Sequence, residues 1–130
     1  MKTLVSYRYF VTTPNEKNIN RVTVDLDYRT GNDNPYRTER RGYYASFTPT
    51  HTTQKNGYAT IVVDGRAPGF RVLLKEVGRQ SKKAAQEALQ QLDQSVQFYL
   101  RRLEDDLAIT IDEDMKPLFY DFASIVPAQA

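Results

Sequence analysis

The sequence predicts an α+β domain in which an antiparallel meander sheet of about five strands is followed by one long C-terminal helix packed on one of its faces. Three observations predict it. Apolar residues tend to recur at every second position through residues 3–77, clusters of turn formers punctuate that stretch, and from Ser81 the apolar spacing changes to three and four. Sequential hairpins imply antiparallel neighbours, and a sheet with one apolar face needs a layer to cover it.

Residues 4–11 are rich in aromatic and β-branched side chains, with Val5, Tyr7, Tyr9 and Val11 on one parity, and Pro14-Asn15 ends the strand. Residues 20–29 alternate cleanly. Val22, Val24, Leu26 and Tyr28 lie on one face and Arg21, Thr23, Asp25, Asp27 and Arg29 on the other, the pattern of a half-buried strand. Gly31-Asn32-Asp33-Asn34-Pro35 is a dense run of turn formers, so residues 36–41, which carry Arg37, Arg40 and Arg41, are expected in a surface loop. Residues 42–49 fit a third strand. Asn56-Gly57 is the strongest hairpin signal in the chain, because a two-residue turn needs positive φ that Asn and Gly tolerate, and residues 58–63 form the fourth strand after it. Asp64-Gly65 and Pro68-Gly69 bracket the next turn, and residues 70–77 form the fifth strand before Gly78.

The helix is expected over residues 81–106, with Ser81 as N-cap. Ala85, Leu89, Leu92, Val96, Tyr99 and Leu103 are spaced 4, 3, 4, 3 and 4 apart, and Leu100 and Leu107 widen the stripe to a width that suits packing on a sheet. The flanking Gln86, Gln90, Gln91, Gln94 and Gln97 are uncharged for a solvent face, so the helix admits a homodimer seam. Beyond it, Asp112-Glu113-Asp114 and Pro117 are expected to stop regular structure. Residues 107–130 then form a short acidic and aromatic tail whose Leu118, Phe119, Tyr120 and Phe122 must dock on the body. No linker or repeat divides the chain, so residues 1–130 read as a single domain, a length at which roughly two thirds of the unfolded surface is buried.

Charge is sorted along this order. Residues 1–83 hold 15 Lys and Arg against 7 Asp and Glu, a balance of +8, and residues 84–130 hold 3 against 9, a balance of −6. A basic body with an acidic tail points to a polyanion partner, or to a tail that masks the basic face until a partner arrives.

The chain has no cysteine, which removes thiolate metal sites, disulfides and cysteine nucleophiles and fits a cytoplasmic protein. Arg8 interrupts the apolar run a signal peptide would need, and no apolar stretch approaches the ~20 residues of a membrane span. His51 is the only histidine, and no glycine-rich phosphate loop or nucleophile elbow is present, so neither catalytic residues nor a cofactor are expected and a non-enzymatic protein is predicted. Asp25, Asp27 and Asp64 are the carboxylates a small hydrolase would have to use, and they work as acid and base only if burial shifts them apart. Asp112-Glu113-Asp114 lacks the ligand spacing and glycine of a calcium loop, so no metal is expected there.

Binding has more material. Arg37, Arg40 and Arg41 precede Tyr43, Tyr44 and Phe47, Tyr58 follows the hairpin turn, and Arg71, Lys75, Arg79, Lys82 and Lys83 run from the fifth strand onto the helix start. Cations neutralise phosphates and ring faces stack on bases, which is what a single-stranded nucleic acid needs. Arg79, Lys82 and Lys83 also oppose the helix dipole, a conflict that a bound anion removes.

Strands followed by one long helix are similar to single-strand binders of the positive-cofactor, Whirly and PUR type. The segment Arg41-Gly42-Tyr43-Tyr44-Ala45-Ser46-Phe47, then Phe70-Arg71-Val72-Leu73-Leu74-Lys75-Glu76-Val77 and the helix from Ser81, resembles the strand, strand and helix order of a PUR-type repeat over about half the chain. The resemblance implies a sheet that carries the nucleic-acid face. The expected function is therefore binding of single-stranded DNA or RNA with little sequence preference, by the arginines, lysines and rings just named. The alternative is a protein-interaction or inhibitor module of phage or plasmid accessory type, acting through the helix face or the acidic tail. Tyrosines sharing an outward surface with the arginines favour nucleic acid; internal tyrosines favour a protein.

Overall fold

A computed structural model describes residues 1–13, 19–30, 40–55, 58–63, 69–121 and 125, and the side chains of these except 13 and 51–63. They form β1 (Lys2–Thr13), β2 (Arg21–Arg29), β3 (Gly42–Lys55), β4 (Tyr58–Val63), β5 (Phe70–Glu76), α1 (Lys82–Leu107) and β6 (Thr110–Tyr120). The α+β class, the antiparallel sheet and the covering helix are as the sequence predicts.

The sheet runs β6-β1-β2-β3, and β4 and β5 share the far edge of β3. β5 pairs with the first half of β3, from Gly42 opposite Glu76 to Phe47 opposite Phe70, and β4 with the second half, from Thr50 opposite Val63 to Lys55 opposite Tyr58. The expected turn residues Asn56 and Gly57 lie outside the described residues. Pro49 stands where β3 changes partner on that edge, a place in the ladder where a missing N–H costs least. Gly42 is obligatory for a different reason: a Cβ there would overlap the Lys75 carbonyl of β5.

Parity decides which side chains meet the helix. Val5, Tyr7 and Tyr9 of β1, Val22, Val24, Leu26 and Tyr28 of β2, and Tyr43, Ala45 and Phe47 of β3 stand in register on one face. All are buried against Ala84, Ala85, Ala88, Leu92, Val96, Leu100 and Leu103 of α1. Burying a large apolar side chain stabilises by roughly 1.5–3 kcal/mol, so this one layer supplies most of the driving force.

Ser81 caps α1, its hydroxyl accepting from the Ala84 N–H at 3.1 Å, as its side-chain chemistry predicts. The C-terminus closes on Ala108, whose φ of 54° lies in the left-handed region while its N–H donates to the Glu104 carbonyl.

The tail departs from expectation. Thr110–Tyr120 is a sixth strand, antiparallel to β1 from Val5 opposite Tyr120 to Thr13 opposite Thr110, with register shifts that absorb the irregular sequence. Asp112-Glu113-Asp114 and Pro117 do not stop it because β6 is an edge strand, where charges and a missing donor face solvent instead of a neighbour. Phe122 and most of the residues after it lie outside the described part, although Ile125 is buried in the core.

Candidate nucleic-acid interface

The predicted stackers do not form a surface. Tyr43 and Phe47 are each 1% exposed: they belong to the parity that meets α1. Tyr43 lies 5.1 Å from the Tyr28 ring and donates its hydroxyl to the Ser81 carbonyl at 3.3 Å, so it fastens the helix start to the sheet, and burial raises its pKa. Phe47 stacks on Phe70 at 4.9 Å and meets Tyr99 of the helix. Tyr44 points the other way, but it is 8% exposed and its hydroxyl donates to the Arg40 carbonyl. A base has no access to these three rings, and their stacking role is withdrawn. The Tyr58 side chain lies outside the described residues.

The predicted cations separate as well. Arg37 lies outside the described residues. Arg40 pairs with Glu76 at 3.4 Å, both side chains being exposed. Arg41 donates to the carbonyls of Thr30 and Gly78, which ties the ends of β2 and β5 together. Lys75 stands opposite Tyr43 on the helix side and pairs with Glu87 of α1, which lowers the Glu87 pKa. Arg79, Lys82 and Lys83 are exposed at the β5–α1 corner. Arg71 stands opposite Ser46, on the face turned away from the helix.

That outer face is where exposed rings and cations meet. Phe10, Lys116 and Phe119 are exposed on it, whereas Asp27, Arg29 and Tyr44 of the same parity are buried. Arg8 of β1 stands opposite Lys116 of β6 and Thr23 of β2; one step along, Ser6 stands opposite Phe119 and Asp25; at the other end Phe10 stands opposite Arg21. Phe10 is 40% exposed and Phe119 49%, and the Arg21 guanidinium lies over the Phe10 ring at 5.4 Å. Ser6 and Phe10 are separated by four residues of strand, so the two rings are about 13 Å apart along the sheet with Arg8 between them. Arg8 and Lys116 form no ion pair among the described residues.

The outer parity of β1 and β2 is the signal for this surface. Arg8 and Phe10 alternate with the buried Tyr7 and Tyr9, and Arg21 precedes Val22. Lys116 and Phe119 have no such signal, since Pro117 between them disguises a strand.

Asp25 and Asp27 lie at the centre of the same face. Asp27 is 3% exposed, and its two oxygens accept from the Thr3 hydroxyl at 3.0 Å and the Ser46 hydroxyl at 2.8 Å. Asp25 is half-buried; burial raises its pKa, Asp27 adds to the rise, and the Ser6 hydroxyl opposes it. The two acids are therefore not separately solvated, but Asp27 is fully engaged by neighbours across three strands. Asp64 lies outside the described residues.

Asp112, Glu113 and Asp114 are held in β6, and Glu104 of α1 accepts from the Ile111 N–H at 3.0 Å to fix its start. A cavity of about 230 Å³ between the end of α1 and the start of β6 is lined by Arg101, Glu104, Asp112 and Glu113 among others. Among the described residues no three His, Cys, Asp or Glu side chains converge as a metal site. Among them, too, no helix is long and apolar enough to cross a membrane.

No protein-family model, curated protein or solved structure matches this chain.

Proposed function

We propose that this chain is a non-enzymatic binder of single-stranded DNA or RNA, with little sequence preference, that works through the outer face of its sheet. The observation that carries the reading is the row of Phe119, Lys116, Arg8, Phe10 and Arg21 on one face, with Arg71 further across. Two accessible rings supply stacking at about 1–3 kcal/mol per base, and four cations neutralise phosphates between them. Neither interaction reads base identity, hence the weak sequence preference.

Fluorescence anisotropy with a labelled single-stranded 20-mer tests it. Four phosphate contacts give a salt slope of about −2.8, so raising salt fourfold weakens binding about 50-fold. Phe10→Ala or Phe119→Ala weakens it about 5- to 150-fold, whereas Lys82→Ala, at the far corner, changes it little. No binding at low salt ends the proposal.

A protein partner is the second reading, favoured by the internal tyrosines and by β6, whose Met115, Leu118 and Phe119 are all exposed at the sheet edge. An extended segment added to that edge meets Pro117, which offers no N–H, so such a partner has to bind mainly through side chains.

A further inference from the structure

We propose that two copies of this chain associate through the outward side of α1, helix against helix and antiparallel, about a two-fold axis at Gln94. The solvent side of the helix is antisymmetric in charge about Gln94, each charge being mirrored by its opposite. Four residues either side of Gln94 stand Gln90 and Phe98, seven either side stand Glu87 and Arg101, and eleven either side stand Lys83 and Asp105. Spacings of four, seven and eleven keep all of these on one helical face. Of the seven, Glu87 alone is partly covered, by its pairing with Lys75, and the other six are exposed.

Reversing a second helix over the first sets Lys83 against Asp105, Glu87 against Arg101 and Gln90 against Phe98 of the other copy. Each pair occurs twice, and Gln94 meets its own counterpart. A parallel arrangement in register sets each charge against its like, which is repulsive, so the pattern selects the antiparallel one. Phe98 provides the apolar anchor: it is 70% exposed, the most exposed large apolar side chain on the helix, and sits beside glutamines that present no charge to be desolvated. Arg101 and Asp105 form no ion pair among the described residues, so both are available to a second copy.

The strip is about 33 Å long and about one helix diameter wide, on the order of 300–400 Å² per partner. That area belongs to weak, concentration-dependent association.

Sedimentation equilibrium of the whole chain up to the order of 100 µM reads the association directly. A monomer–dimer equilibrium is expected, abolished by Phe98→Gln with an unchanged far-ultraviolet spectrum. Because the chain has no cysteine, single substitutions report the geometry. Gln94→Cys cross-links to itself on mild oxidation, while Lys83→Cys and Asp105→Cys cross-link only when mixed. Lys83→Asp weakens the dimer, and adding Asp105→Lys restores it. A monomer throughout, a dimer indifferent to Phe98→Gln, or Lys83→Cys cross-linking to itself overturns the proposal.

Discussion

Replacing Asp27 by alanine should destabilise the fold by about 3 kcal/mol, because this carboxylate fastens three strands at once. It sits on β2 with one oxygen accepting from Thr3 of β1 and the other from Ser46 of β3, at 3.0 and 2.8 Å. Hydrogen bonds to a charged group are each worth about 1.5–3 kcal/mol, and burial of the carboxylate offsets part of that sum. The loss is a large share of the roughly 5–15 kcal/mol that keeps a domain folded. With a urea m-value of about 2 kcal/mol/M the unfolding midpoint falls by about 1.5 M. Asp27→Asn keeps one acceptor and adds an amide donor that either hydroxyl can accept, so it should cost only about 1 kcal/mol. Equilibrium urea denaturation followed by circular dichroism separates the two variants. A cost below about 0.5 kcal/mol for the alanine variant would refute the reasoning, and an equal cost for both variants would assign the effect to charge instead of to the two hydroxyls.

Asp25 yields a pH prediction. Its raised pKa means that the folded state holds the proton more tightly than the unfolded chain, so its contribution is fully present below the unfolded value and is lost as pH rises through the folded one. Asp25→Asn should therefore be more stable than the parent near pH 7, with the advantage fading towards pH 3; an advantage independent of pH would exclude this cause. Ala108→Gly should raise stability by about 0.5–1 kcal/mol, since a left-handed φ costs an L side chain about 1–2 kcal/mol and glycine returns part of that as backbone entropy. Thermal unfolding checks it, and a lower midpoint would contradict it.

The strands were legible wherever one parity is apolar. β2 alternates without a break, and its Val22, Val24, Leu26 and Tyr28 are all buried. The helix was equally plain, from its Ser81 cap to an expected end at Asp106, one residue before the observed end at Leu107, because a sustained 3.6-residue period has no competing reading. β6 was not legible. Its charges and Pro117 are those of a loop, and only the free edge of β1 makes them acceptable in a strand. The site was hidden for a related reason. Tyr43 and Phe47 attract notice as aromatics near arginines, but their register with Tyr28 and Val24 sends them inward, and register is a long-range property. Phe10 and Arg8 stand on the less conspicuous parity of a strand whose other parity is strongly apolar.

The pairing of β1 with β6 joins the first of the described strands to the last. During synthesis the side of β1 that will receive β6 leaves the ribosome about a hundred residues ahead of its partner, and until then it offers Val5, Tyr7 and Tyr9 with an unsatisfied backbone ladder. Nascent chains that stall or are cleaved before residue 110 would keep that edge open, and they should be the species that recruit chaperones or form intermolecular β-structure.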